Sequence, residues 1–234
     1  MVTIPAQFNG PDHSGNGGYV AGMIAREVGA GPVTSTLRIP PPLDVALSFE
    51  RDGDDVRLLT AGGAVVGSAS PGEFVRDVPA APTVEQAEAG LAGYPGFTHH
   101  PFDRCFTCGT ARDEGDGLRL FTGPIGDGRT AAPWTPHAAF GGHDGLLDVP
   151  TTWAALDCPG GWAADFSVRT MVLGRMTAEV VRRPRTGEAL LSVGELSARD
   201  GRKFSTATAL YTPDGELLGR AEQIWIEVDA GAFG

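Results

Sequence analysis

A glycine pair followed by an aromatic residue occurs twice in this chain of 234 residues, and each pair opens a similar stretch of sequence. The first segment, residues 16–22, reads NGGYVAG, and the second, residues 159–165, reads PGGWAAD. Both lead into sequences with apolar residues at helical spacing, which predicts helices over residues 19–28 and 162–173. The repeat therefore predicts two halves with the same layout.

Four strand-like segments follow each predicted helix. They are residues 33–39, 45–50, 55–60 and 64–68 in the first half, and residues 175–183, 189–198, 203–211 and 216–228 in the second. The dipeptides at 52–53, 62–63, 200–201 and 214–215 are Asp-Gly or Gly-Gly, which favour tight hairpin turns because both residue types tolerate a positive φ. A helix with a run of antiparallel strands predicts an α+β fold. The alternative is that two unrelated α+β segments share their glycine pairs by chance.

The segment between the halves has its own start signal. Thr83 is followed three residues later by Gln86, which predicts a capping box and a short helix ending near residues 90–93. The proline-rich lead-in at residues 78–82 favours an ordered connector. We therefore expect an N-terminal unit over residues 1–75, a connector with a short helix over 76–101, and a C-terminal unit over 102–234.

Charge and composition limit the partners and the compartment. The formal net charge is −11 and is spread evenly along the chain, which disfavours binding to nucleic acid or to an anionic membrane. The first ten residues lack the features of a signal peptide, and no apolar run approaches the ~20 residues that span a bilayer. Three cysteines argue against a disulfide scaffold. We expect a cytoplasmic protein that does not insert into membranes.

Three segments together resemble the double-hotdog acyl-CoA thioesterase-like superfamily. They are residues 8–22, residues 153–162, and residues 200–223 with their two Asp-Gly turns. The resemblance implies two tandem hotdog units, each a long helix wrapped by a curved antiparallel sheet. It also implies hydrolysis of an acyl thioester, with acyl-CoA as the substrate, and pairing of two such chains as a homodimer.

The resemblance and the chemistry of thioester cleavage together select the glycine pairs as substrate-binding groups. Free backbone N–H groups at a helix N-terminus stabilise a developing oxyanion, and glycine lets a ligand approach closely. Gly17, Gly18, Gly160 and Gly161 are therefore candidate oxyanion donors, or else glycines that only let a helix pack against the sheet. Asn16 stands where the family has a histidine, so it orients substrate or caps the helix.

The catalytic groups are harder to assign. The resemblance places Gln223 where related enzymes hold the attacking water, together with an Asp and a Ser or Thr. Residues 169–175 contain no Asp, and the carboxylate positions of single-hotdog enzymes correspond here to Ala25 and Val168. Asp157, in an apolar setting, is the remaining candidate base, since burial raises a carboxyl pKa. Its alternative role is helix capping.

Two further clusters have competing interpretations. Cys105 and Cys108 form a C-x-x-C preceded by His99-His100, which fits zinc, a redox pair or a buried structural pair. We expect the buried pair, with no metal and no cofactor. The arginines Arg182, Arg183 and Arg185 are candidates for CoA phosphates or for a solvated strand end.

Two functions therefore compete with thioester hydrolysis. One is a non-catalytic acyl-CoA or acyl-ligand binding protein of the same fold. The other is a hotdog dehydratase, for which Asp12-His13 is the candidate pair.

Overall fold

The computed structural model describes residues 1–229 and Gly231, which form one ten-stranded antiparallel sheet with three α-helices. The fold is α+β, as predicted. The helices are α1 (Gly17–Val28), α2 (Val84–Ala92) and α3 (Val149–Ala163). The strands are β1 (Val33–Leu37), β2 (Leu47–Asp52), β3 (Asp55–Thr60), β4 (Val65–Pro71), β5 (Gly123–Gly126), β6 (Arg129–Trp134), β7 (Met171–Val180), β8 (Leu190–Asp200), β9 (Lys203–Tyr211) and β10 (Leu217–Glu227).

The strand order is the same after α1 as after α3. The sheet runs β2-β3-β4-β1-β7-β10-β9-β8-β6-β5, so in each half the first strand after the helix lies beside the fourth. The two halves meet where β1 pairs antiparallel with β7, and the hydroxyls of Thr34 and Thr177 lie 2.8 Å apart at this seam. The β5–β6 hairpin extends the sheet beyond β8, and Val2 bridges to Leu47 of β2 at the opposite edge.

Helices α1 and α3 pack against the sheet and against each other, and they run antiparallel. Small residues allow this: a Cβ on Gly18 would lie 2.4 Å from the Cβ of Asp157, and one on Gly22 would lie 2.7 Å from the Cβ of Trp153. Most of the second helix is buried, including Trp153 and Leu156. The close approach brings the N-terminus of α1 against the middle of α3.

The predicted position of the second helix is wrong. It begins at Val149, with Asp148 as the N-cap and Pro150 in the first turn, and it ends at Ala163. Pro159 lies inside the helix, where it would normally be a breaker. Sheet and loop side chains satisfy nearby helix carbonyls: the hydroxyls of Thr107 and Thr208 donate to the carbonyls of Ala154 and Leu156 at 3.1 and 2.6 Å.

The remaining local predictions agree with the structure more closely. The capping box at Thr83 and Gln86 is present, and all eight predicted strands occur with small shifts at their ends. Strands β5 and β6 were not predicted. Among the described residues, no helix is long and apolar enough to span a membrane.

Candidate active site

The N-terminus of α1 meets a carboxylate from α3. The backbone N–H of Gly18 donates to Asp157 Oδ2 at 2.9 Å. This contact depends on the absence of a side chain at Gly18, because any Cβ there would overlap Asp157 and the carbonyl of Trp153. The sequence therefore places a carboxyl group at the positive end of the α1 dipole, where its ionised form is favoured.

Asp157 is almost fully buried, with 1% of its surface exposed. Burial raises the pKa of its carboxyl to about 8, although the hydrogen bond from Gly18 acts in the opposite direction. Cys105 raises this pKa further, and the nearby Asn16 amide lowers it. The second carboxyl oxygen of Asp157, Oδ1, is buried and has no hydrogen-bond partner among the described residues. A carboxylate of this kind is a stronger base than a solvated aspartate.

Asn16 is the N-cap of α1. Its Oδ1 accepts from the N–H of Tyr19 at 2.9 Å, and its Nδ2 donates to Thr107 Oγ1 at 3.3 Å. Both ends of the amide are thus used within the protein. The N–H of Gly17, the first residue of α1, has no hydrogen-bond partner among the residues that the structure describes. Gly17 is therefore a donor that remains available to a ligand.

An apolar cavity of about 230 Å³ reaches this point. Asn16, Gly17 and Asp157 line its polar end. The rest of its wall is largely apolar and comes from both halves of the chain, including Leu37, Ile39, Phe166, Met171, Leu173 and Trp225. The cavity suits an apolar group whose polar end reaches Gly17 and Asp157.

Gln223 lies outside the residues that line this cavity. It is buried, and its Nε2 donates to the carbonyls of Leu156 and Asp157 at 2.6 and 3.0 Å. Its Oε1 accepts from Thr206 Oγ1 at 2.7 Å and from the Trp225 indole at 3.3 Å. Thr206 thus supplies a hydroxyl next to the Gln223 amide. Because these bonds occupy the Gln223 amide, its geometry suits holding α3 in place rather than holding water.

The second glycine pair does not start a helix. Gly160 and Gly161 lie in the last turns of α3, so the prediction that they begin a helix is wrong. A Cβ on Gly160 would lie 1.8 Å from Gln223 Oε1, and one on Gly161 would lie 3.1 Å from the Trp225 ring. Neither glycine lines the cavity, and both admit neighbouring side chains against the helix.

The predicted arginine cluster is already paired. Arg182 forms ion pairs with Glu188 at 2.7 Å and with Glu216 at 2.9 Å. Arg183 pairs with Asp144, and Arg185 donates to the backbone carbonyl of the same residue at 2.9 Å. None of the three arginines lines the cavity, so the phosphate-binding prediction has no support from their positions.

Arg38 is a cation that the sequence reasoning missed. It is exposed, it lines the cavity, and its side chain has no ion pair or hydrogen bond among the described residues. The two residues that were candidates for a dehydratase, Asp12 and His13, differ from Arg38, since neither lines the cavity. Asp12 is paired with Arg104 at 2.5 Å, which holds the pKa of Asp12 below its usual range, and His13 is exposed.

The cysteines of the C-x-x-C are buried and unbridged, as expected for a structural pair. The third cysteine, Cys158 of α3, joins them, which the sequence did not predict.

Comparisons with solved structures identify the fold. A proposed thioesterase from Novosphingobium aromaticivorans aligns over 97% of this chain and 94% of its own, at 15% identity and a TM-score of 0.62. A conserved protein of unknown function with a hot dog fold, from Alicyclobacillus acidocaldarius, aligns over 97% and 92%, at 12% identity and a TM-score of 0.60. The tesB protein of Mycobacterium avium subspecies paratuberculosis aligns over 90% and 85%, at 13% identity and a TM-score of 0.54.

These matches show that the chain has the hotdog fold, so the resemblance seen in the sequence is confirmed for the fold. The chain spans about half the length of a solved thioesterase superfamily protein, covering 55% of that protein at 22% identity and a TM-score of 0.44. No protein-family model matches the sequence. A comparison with curated proteins also finds no match.

Proposed function

We propose that this protein hydrolyses an acyl thioester, with acyl-CoA as the substrate class, to the free acid and the thiol. The observation that carries the proposal is the buried Asp157 carboxylate at the N-terminus of α1, at the polar end of an apolar cavity. The thioesterases among the proteins of similar fold support it.

The residues at this end of the cavity suit the three parts of the reaction. Asp157 takes a proton from a water molecule, whose oxygen attacks the thioester carbonyl carbon. The Gly17 N–H, at the positive end of α1, donates to the carbonyl oxygen as it becomes an oxyanion. The C–S bond then breaks, and the departing thiolate receives the proton from Asp157. The Gly18 N–H holds the other carboxylate oxygen throughout.

The fold supports a particular architecture and substrate path. We propose two hotdog units, over residues 1–75 and 102–234, joined by the connector at 76–101. The identical strand order after α1 and α3 supports this division. Because the cavity is mostly apolar and Arg38 is exposed beside it, the acyl group occupies the cavity and the CoA phosphates lie near Arg38. A cytoplasmic location and a homodimer complete the proposal.

A binding protein without catalysis is the second candidate. It is favoured by Asn16, which cannot act as a base where the related enzymes carry a histidine. The two candidates share the fold and the cavity and differ only in turnover.

Thiol release from a panel of acyl-CoA chain lengths tests the proposal. We expect turnover by the wild type and a loss of about 100-fold or more in kcat for Asp157→Asn, which keeps the size of the side chain. Asp54→Asn, at an exposed turn, is the matched control and retains activity. Turnover unchanged in Asp157→Asn would contradict the assignment. Saturable acyl-CoA binding without turnover would favour the binding protein.

A further inference from the structure

The three cysteines of the chain meet at one buried point. Cys105 and Cys108 come from the loop between α2 and β5, and Cys158 comes from α3. All three Sγ atoms lie within 4.8 Å of one another, and those of Cys105 and Cys158 are 3.7 Å apart. Each residue is at most 3% exposed. Residues from two distant segments thus bring three soft donors together.

The separation of the Cys105 and Cys158 sulfur atoms suits a shared metal ion, and Cys108 lies close to both. A zinc–thiolate bond is about 2.3 Å long, so two thiolates on a tetrahedral ion lie about 3.8 Å apart. The Cys105–Cys158 separation matches this value, and it is far longer than a disulfide bond of about 2.05 Å. Three buried thiols whose Sγ atoms all lie within 4.8 Å of one another form a donor set that selects thiophilic ions.

Two N–H groups are placed to support thiolate sulfur. The Nδ1 of His100 accepts from the Phe102 N–H at 2.9 Å, so in a neutral ring Nε2 carries the hydrogen. That Nε2 lies 3.3 Å from Cys108 Sγ and 3.1 Å from the Cys108 carbonyl, and it donates to this residue. The Asn16 amide donates to Cys105 Sγ at 3.6 Å. Outer donors of this kind are typical of metal–thiolate sites.

The same hydrogen bonds decide which residues are ligands. Because Nδ1 of His100 is an acceptor, Nε2 is a donor and not a fourth metal ligand. Cys105 and Cys158 line the cavity, so the remaining position of a tetrahedral ion is accessible to water from that side.

The geometry points to a zinc site formed by Cys105, Cys108 and Cys158, with water as the fourth ligand and with His100 and Asn16 as supporting donors. Binding releases the protons of the thiols that are not already ionised. The site ties the 102–122 loop to α3 and, through Asn16, to the start of α1. It replaces the sequence expectation of a buried pair without metal, and it does not depend on the proposed function.

Metal titration of the full chain tests the site. Protein prepared with a chelator and a reductant is titrated with Zn²⁺ against a chromophoric chelator, and separately with Co²⁺. We expect one ion per chain and, with Co²⁺, the thiolate charge-transfer and ligand-field absorption of a tetrahedral site. Cys108→Ser and Cys158→Ser should weaken Zn²⁺ binding by more than roughly 100-fold, since outer partners alone contribute about 10- to 100-fold. Thr122→Val, at a buried position of the same loop, is the control and binds normally.

Two further measurements keep the test decisive. His100→Gln, which retains an N–H donor, should still bind one Co²⁺ without losing the tetrahedral thiolate spectrum. If a serine variant fails to fold, alkylation of wild-type thiols replaces it, and Zn²⁺ should protect all three cysteines. Substoichiometric binding, equal binding by a folded serine variant, or alkylation at the same rate with and without Zn²⁺ would overturn the site. Those results would leave three thiols that only pack as small apolar groups.

Discussion

Asp157 and Gly18 are 139 positions apart in the chain, yet the Gly18 N–H donates to Asp157 Oδ2 at 2.9 Å. The contact joins the first turn of α1 to the middle of α3. It places a carboxylate and helix N–H groups from different halves at the same end of one cavity. The proposed site therefore exists only when the two helices pack closely.

Adding a methyl group at Gly18 tests this dependence. In Gly18→Ala the new Cβ would lie 2.4 Å from the Asp157 Cβ and 2.8 Å from the Trp153 carbonyl, so the helices must separate. We expect a loss of about 1–3 kcal/mol in the free energy of unfolding, as for other overpacked sites. The rate of thiol release should fall together with the stability, because Asp157 is displaced from the N-terminus of α1.

The control for this variant is another glycine with free space. Gly62→Ala meets no atom closer than 3.9 Å and should retain both stability and activity. Denaturant unfolding and thiol release, measured on both variants, separate a local effect from a general sensitivity to alanine. Wild-type stability in Gly18→Ala would contradict the close helix packing described here.

Gln223 provides a second prediction, about positioning. In Gln223→Met the side-chain size is kept, but the Asp157 carbonyl loses the Gln223 donor, while the Leu156 carbonyl keeps the Thr208 hydroxyl. The buried Thr206 hydroxyl and Trp225 indole lose the acceptor Oε1. We expect the free energy of unfolding to fall by about 2–4 kcal/mol, because buried polar groups are left without partners. The folded variant should retain more thiol release than Asp157→Asn does.

The resemblance predicts a different outcome for the same variant. If Gln223 holds the attacking water, kcat falls as far as in Asp157→Asn and stability changes little. Gln7→Met, at an exposed position, is the control for both measurements. Denaturant unfolding and kcat, measured on the same preparations, distinguish the two roles.

Local sequence signals predicted the elements that they directly encode. Asn16 caps α1, Thr83 and Gln86 cap α2, and the Asp-Gly turns separate β2 from β3 and β8 from β9. These signals work because the capping or turn residue bonds to its own neighbours in the chain. The hotdog fold as a whole was predicted from the resemblance to a known superfamily.

The second helix shows where local reasoning fails. Pro159 and the following glycines are typical of a helix end, whereas Asp148 and Pro150 were not recognised as a helix start. The helix continues through Pro159, and side chains distant in sequence, Thr208 and Gln223, donate to the Leu156 carbonyl in the same turn. Tertiary contacts of this kind carry no local sequence signal.

The candidate residues of the active site were named from the sequence, but the same error hid how they meet. With the second helix placed after Gly160, nothing brings Asp157 to Gly18 or Cys158 to the C-x-x-C. Both contacts follow from antiparallel packing of α1 on α3 and from the loop folding over α3. The order of charged residues along the chain likewise could not show that Arg182 is ion-paired, whereas Arg38 has no ion-pair partner within residues 1–229.

Arg38 and Arg182 give the last prediction, which concerns acyl-CoA. Arg38 is exposed beside the cavity and unpaired among the described residues, whereas Arg182 is bound by Glu188 and Glu216. We expect Arg38→Ala to raise KM for acyl-CoA by about 3- to 10-fold with kcat little changed, since an exposed ion pair contributes about 1 kcal/mol. The effect should shrink as salt is added, because salt screens the phosphate charge. Arg182→Ala is the matched control and should leave KM unchanged. A rise in KM for Arg182→Ala but not for Arg38→Ala would place the phosphates at the originally predicted arginine cluster instead.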